Sequence, residues 1–331
     1  MVYNKNVYVK KINIIEWRNK LIKFININLV IYILDDKWVN MEELKMIKLI
    51  ASDMDGTLLN SNHKISKENL EAIKKAESMG VKFTIATGRR FEDVKPLIDE
   101  NNLKCQSIVL NGGEYIDEEG KVLEGIYIDR KEASQIIDMI IKENIVAEIY
   151  TNQGLYSVNT KEEALTEVAY RIKAFDPKTS FEEAIKYAET HPHFLDLKYI
   201  KDIDEFLNSD IKIGKFVAFY NDEETTIKVK RKLESIERLA IASTFTKNIE
   251  INNKEAQKGL ILAKVAEKMG IRRDEVMVIG DSFNDYSMFT EFPISFAMKN
   301  AVPQIKEAAK YITDTNDNAG VAKAIYKVFN L

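Results

Sequence analysis

A short apolar run that ends in two carboxylates constrains the fold more than any other feature of this sequence. Residues 47–52 are mostly apolar, and Asp53, Asp55 and Gly56 follow directly. The run is too short for a helix, so it predicts a buried β-strand. Carboxylates placed at the end of a buried strand are costly unless a cation or a substrate uses them. The sequence therefore predicts an α/β fold with acidic groups at a sheet edge.

The residues that follow predict alternating helices and strands. Ser66 is a candidate N-cap for a helix that closes at Gly80, and apolar runs at 81–86, 107–110 and 276–279 predict further strands. Each of these runs ends in small or polar residues, which is typical of a strand that leads into a turn or a helix. Repeated βα units predict a doubly wound parallel sheet.

The middle of the chain has a different pattern from about Asp129 onward. Helical stretches alternate with β-like runs, at 131–143, 161–174 and 224–236 for helices and at 147–150, 155–158 and 215–219 for strands. We therefore predict an inserted α/β module, the cap, at 129–246. The sheet domain, or core, then comprises 46–128 and 247–331.

Residues 1–45 differ in composition from the rest of the chain. They are rich in Ile, Asn, Lys, Val and Tyr, and they contain no Gly or Pro. We expect this N-terminal extension to be mostly translated leader sequence with a mis-assigned start, and Met46 or Met41 to be the native first residue. The apolar stretch at 21–34 is too short and too polar for a membrane span, which needs about 20 apolar residues.

Composition restricts the classes of function. Hydrophobic residues make up 45% and charged residues 30% of the chain, and the net charge is −4, which argues against a nucleic-acid-binding protein. Cys105 is the only cysteine, so no intrachain disulfide exists and a cytoplasmic location is expected. We interpret Cys105 as a buried structural thiol and His191-Pro192-His193 as a loop. For the whole chain we expect no membrane partner and no nucleic-acid partner.

Four polar clusters each follow a predicted strand or begin a predicted helix. They are centred on Asp53 and Asp55, on Thr87-Gly88-Arg89, on Lys258, and on residues 281–285. Open α/β sheets bind ligands at this carboxyl edge. Taken alone, the acids could cap a turn, Thr87 could serve a turn, and Lys258 could be surface. A calcium loop fails on spacing, because the last ligand position falls on Asn62.

The motif Asp-x-Asp-Gly-Thr-Leu at 53–58 makes the pattern specific. With Thr87, Lys258 and the motif Gly-Asp-Ser-Phe-Asn-Asp at 280–285 in that order, the chain resembles the haloacid dehalogenase superfamily, and in particular the Cof-type capped phosphatases. The resemblance runs from Met46 to the C-terminus. It implies a Rossmann-like core with an inserted α/β cap.

The resemblance also implies the roles of the acidic residues. Asp53 is the nucleophile and a Mg²⁺ ligand. Asp55 binds the metal through its backbone carbonyl and serves as general acid and base through its side chain. Asp281 completes the protein ligands, with Asn284 and Asp285 in or next to the metal shell.

The remaining candidates are expected to contact the substrate. Thr87, Gly88 and Lys258 are the expected phosphate-binding residues, and Lys254 is a rival for the lysine role. Arg89 and Asn111 are weaker candidates for the non-reacting part of the substrate. Arg89 could instead pair with an acid, and Asn111 could serve its turn.

The function expected from the resemblance is a Mg²⁺-dependent phosphatase of small phosphorylated metabolites, such as sugar phosphates or flavin and pyridoxal phosphates. Its cap would set substrate choice. A phosphomutase using the same aspartyl-phosphate chemistry is an alternative, disfavoured because the large insertion follows the third strand. A non-catalytic metabolite-binding protein on the same fold is another, disfavoured because Asp53, Asp55, Lys258 and Asp281 are all retained.

Overall fold

A computed structural model describes residues 31–34, 37–40, 47–176, 178–219, 223–242 and 248–331. Strands β1 (Ile31–Leu34) and β2 (Lys37–Asn40) form an antiparallel pair by themselves. The rest of 1–45, on which the leader hypothesis depends, lies outside the described residues. Within those described, no helix is long and apolar enough to cross a membrane.

Two larger sheets contain the other strands. In chain order these are β3 (Leu49–Asp53), β4 (Lys82–Ala86), β5 (Gln106–Val109), β6 (Glu114–Ile116), β7 (Val122–Gly125), β8 (Val146–Thr151), β9 (Gly154–Ser157), β10 (Leu197–Tyr199), β11 (Ile213–Phe219), β12 (Leu239–Ala242), β13 (Asn248–Asn253), β14 (Val276–Gly280), β15 (Ile294–Ala297) and β16 (Tyr311–Ile312).

Twelve α-helices occur in the described part of the chain. They are α1 (Lys67–Ser78), α2 (Phe91–Glu100), α3 (Arg130–Lys142), α4 (Lys161–Phe175), α5 (Phe181–Thr190), α6 (Pro192–Leu195), α7 (Ile203–Asn208), α8 (Glu223–Leu233), α9 (Lys258–Lys268), α10 (Tyr286–Glu291), α11 (Pro303–Ala308) and α12 (Gly320–Phe329). Ser66 caps α1 as predicted, because its hydroxyl accepts a hydrogen bond from the Asn69 amide.

The first sheet has the order β16-β15-β14-β3-β4-β5-β6-β7, and its strands are parallel from β16 to β5. Both faces are buried. Ile50 and its neighbour Met277 pack in one apolar cluster, whereas Leu49 and its neighbour Val276 pack in another. This burial on both faces explains the nearly continuous apolar runs, and it confirms the predicted parallel α/β core.

The second sheet has the order β10-β9-β8-β11-β13-β12 and contains mostly antiparallel pairs. Ile249 and Ile251 of β13 pack in the same apolar cluster as α3 and α8. Backbone pairing with β11 and β12 places β13 in this sheet, although the predicted boundary at 247 assigned it to the core. The other face of the central strands carries mostly polar side chains, among them Glu148, Lys215, Glu250 and Asn252.

One local prediction was wrong. His191-Pro192-His193 does not form a plain loop, because Pro192–Leu195 is a short helix capped by His191. Proline suits the first helical position, where its missing N–H has no partner to lose. Cys105 is buried, as predicted for a structural thiol, and burial raises its pKa to about 12.

Candidate active site

The turn after β3 brings the first acidic motif against the last one. Gly56 has a φ of +80°, which favours glycine, and a Cβ there would lie 2.6 Å from Oδ2 of Asp281. The buried Thr57 hydroxyl donates to Oδ1 of Asp281 at 3.0 Å. The glycine and the threonine of the motif therefore set the position of the Asp281 carboxylate.

The turn after β14 is held by the Asp285 side chain. Its Oδ2 accepts from the backbone N–H groups of Asp281 and Ser282 at 2.9 and 3.0 Å. Gly280 makes this approach possible, because a Cβ there would lie 2.6 Å from the Asp285 carboxylate. Asp285 is completely buried, and its hydrogen bonds fix the conformation of this loop from the inside.

Lys258, the first residue of α9, lies between two carboxylates. Its Nζ donates to Oδ1 of Asp53 at 2.6 Å and to Oδ1 of Asp285 at 2.7 Å. Burial by itself lowers the pKa of Lys258, but Asp285 and Asp53 outweigh burial and raise it, so the amine stays charged. Lys254, the rival candidate, is exposed.

The acidic cluster fits a hard divalent cation. Carboxylate oxygens of Asp53, Asp281 and Asp285 lie within 4.8 Å of one another. Oδ2 of Asp53 is buried and has no hydrogen-bond partner among the described residues. Burial, then repulsion from Asp285, raise the pKa of Asp53 and bring that of Asp281 to about 6. Oxygen ligands with excess negative charge are what Mg²⁺ prefers.

The loop after β4 faces this cluster. Thr87 is buried, its hydroxyl oxygen accepts from the Arg89 N–H at 3.2 Å, and its backbone carbonyl accepts from the Asn111 N–H at 3.0 Å. Arg89 grips Asp55 with two hydrogen bonds, of 2.8 and 2.5 Å. The sequence left open whether Arg89 contacts the substrate or pairs with an acid, and in the structure it pairs with an acid.

Asn111 lies where the turn after β5 meets the second sheet. Its φ of 60° is in the left-handed region that asparagine tolerates. Its Nδ2 donates to Oε2 of Glu250 at 2.7 Å, and its Oδ1 accepts from Nδ2 of Asn284 at 3.2 Å. Asn111 thus joins the acidic loop to β13.

Sequence reasoning missed Lys215 and Glu250. Both are buried, their charged groups lie 2.7 Å apart, and the Lys215 amine also donates to the Gly88 carbonyl at 3.3 Å. The strict alternation in β13 was the available signal, because it puts Glu250 opposite the apolar face. The structure brings these two residues together with most of the predicted site residues at one edge.

Comparison with known proteins identifies the family of the chain. The family described as haloacid dehalogenase-like hydrolase matches residues 50–325. The chain belongs to this family. Its fold is the one expected, with a structure of a haloacid dehalogenase-like hydrolase from B. subtilis matching at a TM-score of 0.72 and 31% identity, over 84% of this chain and 99% of that one.

Proteins similar to this chain include named phosphatases. It is 34% identical over 276 residues to the 5-amino-6-(5-phospho-D-ribitylamino)uracil phosphatase YwtE of Bacillus subtilis, which covers 83% of this chain and 96% of that protein. It is 32% identical to the phosphatase YwpJ of the same organism, over 83% of this chain and 98% of that protein. The hydrolase is accordingly a phosphatase that cleaves phosphoric monoesters.

Proposed function

We propose that this hydrolase is a Mg²⁺-dependent phosphatase of small phosphorylated metabolites that works through a phosphorylated Asp53. The observation that carries the proposal is the state of the Asp53 carboxylate. Lys258 holds one oxygen, while the other is buried without a partner among the described residues. A buried carboxylate oxygen without a partner is costly, and a bound cation and an incoming phosphate ester would remove that cost.

The proposed reaction has two displacements. In the first, a carboxylate oxygen of Asp53 attacks phosphorus, the bond from phosphorus to the ester oxygen breaks, and the leaving oxygen takes a proton from Asp55. In the second, water attacks phosphorus, Asp55 takes its proton, and the Asp53–phosphorus bond breaks to release inorganic phosphate. The Asp55 side chain is about half exposed, at 48%, which suits a group that must reach both the leaving oxygen and water.

Charge neutralisation is the main electrostatic requirement. A carboxylate that meets a phosphate oxygen at 4 Å is repelled by about 4 kcal/mol per charge pair at an effective dielectric of 20. Mg²⁺, when bound, supplies positive charge shared between the two groups. In the proposal Asp53, the Asp55 carbonyl and Asp281 hold it. Both Asp285 oxygens are engaged by Lys258, Asp281 and Ser282, so Asp285 supports these groups.

The phosphate is proposed to rest between Lys258 and the Thr87–Gly88 turn. Lys258 is charged and rigidly held, which suits stabilisation of charge in the transition state. Thr87 offers a hydroxyl at the adjoining strand end, beside Gly88. Arg89 would orient Asp55 through its two hydrogen bonds, one of which would open while Asp55 carries the proton that it gives to the leaving oxygen.

The inserted module is proposed to select the substrate. Its strand β11 carries Lys215, which donates to the Gly88 carbonyl of the Thr87–Gly88 turn, and the neighbouring strand β13 carries Glu250. We propose phosphorylated sugars or similar polyhydroxyl esters as substrates. YwtE and a second Bacillus subtilis protein, YcsE, are both named as 5-amino-6-(5-phospho-D-ribitylamino)uracil phosphatases and are both 34% identical to this chain, which supports a phosphorylated ribityl compound as a candidate.

Phosphate release tests the reaction. Purified protein should release inorganic phosphate from an aryl phosphate only with Mg²⁺, and Asp53→Asn should lower kcat by at least about a thousandfold. Lys258→Met should also be strongly impaired, whereas Lys254→Met, at an exposed position, should match wild type. Activity that survives in Asp53→Asn would refute the nucleophile assignment.

A substrate panel tests the specificity. It should include 5-amino-6-(5-phospho-D-ribitylamino)uracil, hexose phosphates, and flavin and pyridoxal phosphates. A sugar or ribityl ester should show the highest kcat/KM. Conversion of one sugar phosphate isomer to another without phosphate release would instead indicate a mutase, and binding without turnover of any ester would indicate a metabolite-binding protein.

A further inference from the structure

Three side chains in series connect the second sheet to the acidic loop. Glu250 on β13 accepts from Nδ2 of Asn111 at 2.7 Å, and Oδ1 of Asn111 accepts from Nδ2 of Asn284 at 3.2 Å. Glu250 and Asn111 are buried, with 7% and 6% of their surface exposed. The series ends at Oδ1 of Asn284, which is buried and has no partner among the described residues.

The series has only one chemically consistent direction. A carboxylate accepts hydrogen bonds and cannot donate, so Asn111 must turn its NH₂ group toward Glu250. Its oxygen is then left to face Asn284, which must present its own NH₂ group in return. The Asn284 oxygen is consequently the end that stays available. A flip of the Asn111 amide would set two NH₂ groups against each other, and a flip of the Asn284 amide would set two oxygens against each other.

The start of the series is itself fixed. The Lys215 amine donates to the same Glu250 oxygen that receives Asn111, at 2.7 Å, so this carboxylate is compensated although it is buried. The Asn252 side chain donates both to the Leu110 and to the Gly214 carbonyl, which turns its own oxygen toward Asn111, at 3.5 Å. Every acceptor around the Asn111 amide therefore demands the same orientation.

Close packing against Gly88 also restricts the position of the Asn111 amide. A Cβ on Gly88 would lie 2.7 Å from the Asn111 oxygen, so the amide packs against the Thr87–Gly88 turn. Its backbone N–H donates to the Thr87 carbonyl at 3.0 Å. Asn111 is thus anchored at both its backbone and its side chain.

We propose that Glu250, acting through Asn111, is a positioning residue that presents the Asn284 oxygen to the divalent cation. This inference rests on the cation site of the proposed function. It gives Asn111 a role in metal binding in place of the substrate contact expected from the sequence. It also makes the metal site depend on a residue of the second sheet, so an intact β13 is required for full cation affinity.

Cation binding without turnover tests the proposal. Mg²⁺ is titrated calorimetrically, and Mn²⁺ by its electron paramagnetic resonance signal, into wild type, Asn111→Leu, Asn284→Leu and the double variant. Loss of a side chain that orients a ligand typically costs about tenfold or more in affinity. Asn111→Leu should therefore weaken binding about tenfold, and it should have no further effect in the Asn284→Leu background.

A second pair of variants approaches the series from its other end. Lys215→Met with Glu250→Met removes both charges together and leaves none unpaired, and it should weaken Mn²⁺ binding about threefold to tenfold. Lys215→Met with Glu250→Gln also leaves no charge unpaired but keeps an acceptor oxygen for Asn111, so it should stay close to wild type. Thermal unfolding of each variant without metal separates a change in affinity from a loss of fold.

The outcomes distinguish this inference from the proposed function. Wild type that binds neither Mg²⁺ nor Mn²⁺ would overturn the cation site and the inference with it. Wild type that binds well while Asn111→Leu binds equally well would overturn the inference alone. Additive effects of Asn111→Leu and Asn284→Leu would also overturn it, because Asn111 would then act by another route.

Discussion

Asp53 occupies the last position of β3, so its backbone belongs to the sheet while its carboxylate reaches the edge. Its surroundings are built from residues far apart in sequence. Lys258 contacts it directly, and Thr57 and Gly56 fix Asp281 beside it. Each neighbour either compensates charge or keeps a carboxylate in place, which is the preorganisation that phosphoryl transfer needs.

Gly56 is expected to position Asp281, and Gly80, which has a similar φ angle, serves as its control. Gly56→Ala and Gly80→Ala place alanine at nearly equal positive φ angles, +80° and +84°. A Cβ at position 56 meets the Asp281 carboxylate, whereas nothing lies within 4 Å of one at position 80. Each should lose about 1 kcal/mol of unfolding free energy from backbone strain, measured by urea denaturation.

Only Gly56→Ala should also raise the Mg²⁺ concentration for half-maximal phosphatase activity, because only it displaces Asp281. Gly80→Ala should retain wild-type kcat and metal dependence. Equal metal dependence in the two variants would show that Gly56 serves the turn alone.

Residues in contiguous motifs were predictable, and their long-range partners were not. The runs at 53–58 and 280–285 identified Asp53 and Asp281 from sequence. The Lys215–Glu250 pair joins two strands whose pairing depends on the register of a whole sheet. A lone Lys in one strand and a lone Glu in another give no signal of contact until that register is known.

At the scale of elements, β8 and α4 enclose a second buried polar cluster. Glu148 accepts from Arg171 at 2.6 Å and lies 2.9 Å from His193 of α6. Burial alone would raise the pKa of Glu148, but Arg171 and His193 outweigh it and hold that pKa below its ordinary value. Arg171 also pairs with Glu167, one helical turn earlier, at 3.0 Å.

Glu167 gives this cluster a pH dependence. Burial raises the pKa of Glu167 from its ordinary 4.5 to about 8. The folded chain therefore binds this proton more tightly than the unfolded chain. The resulting stability is fully present below about pH 4.5 and is lost as the pH rises through 8, by on the order of 1 kcal/mol per pH unit.

Glu167→Gln removes this titration and keeps the shape of the side chain. Urea unfolding at about pH 5 and about pH 8 should show that wild type loses stability relative to Glu167→Gln at the higher pH. Glu162→Gln, at an exposed position of the same helix, should track wild type. A constant difference between wild type and Glu167→Gln across this range would contradict the raised pKa.

The elements that hydrophobic periodicity predicted lie close to their predicted bounds, although it missed α5 (Phe181–Thr190). The helix predicted at 131–143 is observed at Arg130–Lys142, and the strand predicted at 147–150 at Val146–Thr151. Periodicity could not show that β13 joins the second sheet, because apolar alternation fits either sheet. It also missed α6, whose four residues are too few to display a helical period.

Across the whole molecule, the acidic cluster gathers chain segments that are more than two hundred residues apart. Thr57 and Asp281 are separated by 224 positions, and Lys258 and Asp53 by 205. Without a cation, the crowded carboxylates oppose folding, as the raised pKa values of Asp53 and Asp281 indicate. The carboxylates that the proposed reaction needs therefore lower the free energy of unfolding of the metal-free protein.

Asp281→Asn should reverse that balance. Without metal its melting temperature should exceed that of wild type by a few degrees, or about 1 kcal/mol, because one repelling charge is gone. Mg²⁺ at about a hundred times its Kd should stabilise wild type by about 2.7 kcal/mol and Asp281→Asn by much less, with NaCl at equal ionic strength as the control. Equal stabilisation of both proteins by Mg²⁺ would exclude Asp281 as a ligand.

Turnover should place the phosphoryl group on Asp53. Acid quenching of the enzyme within its first turnover, followed by mass spectrometry of its peptides, measures this directly. The peptide that contains Asp53 should carry one phosphoryl group, and borohydride should reduce that residue to homoserine. A turning-over enzyme with the phosphoryl group on another residue, or with none on Asp53 under conditions that preserve acyl phosphates, would rule out Asp53 as the nucleophile.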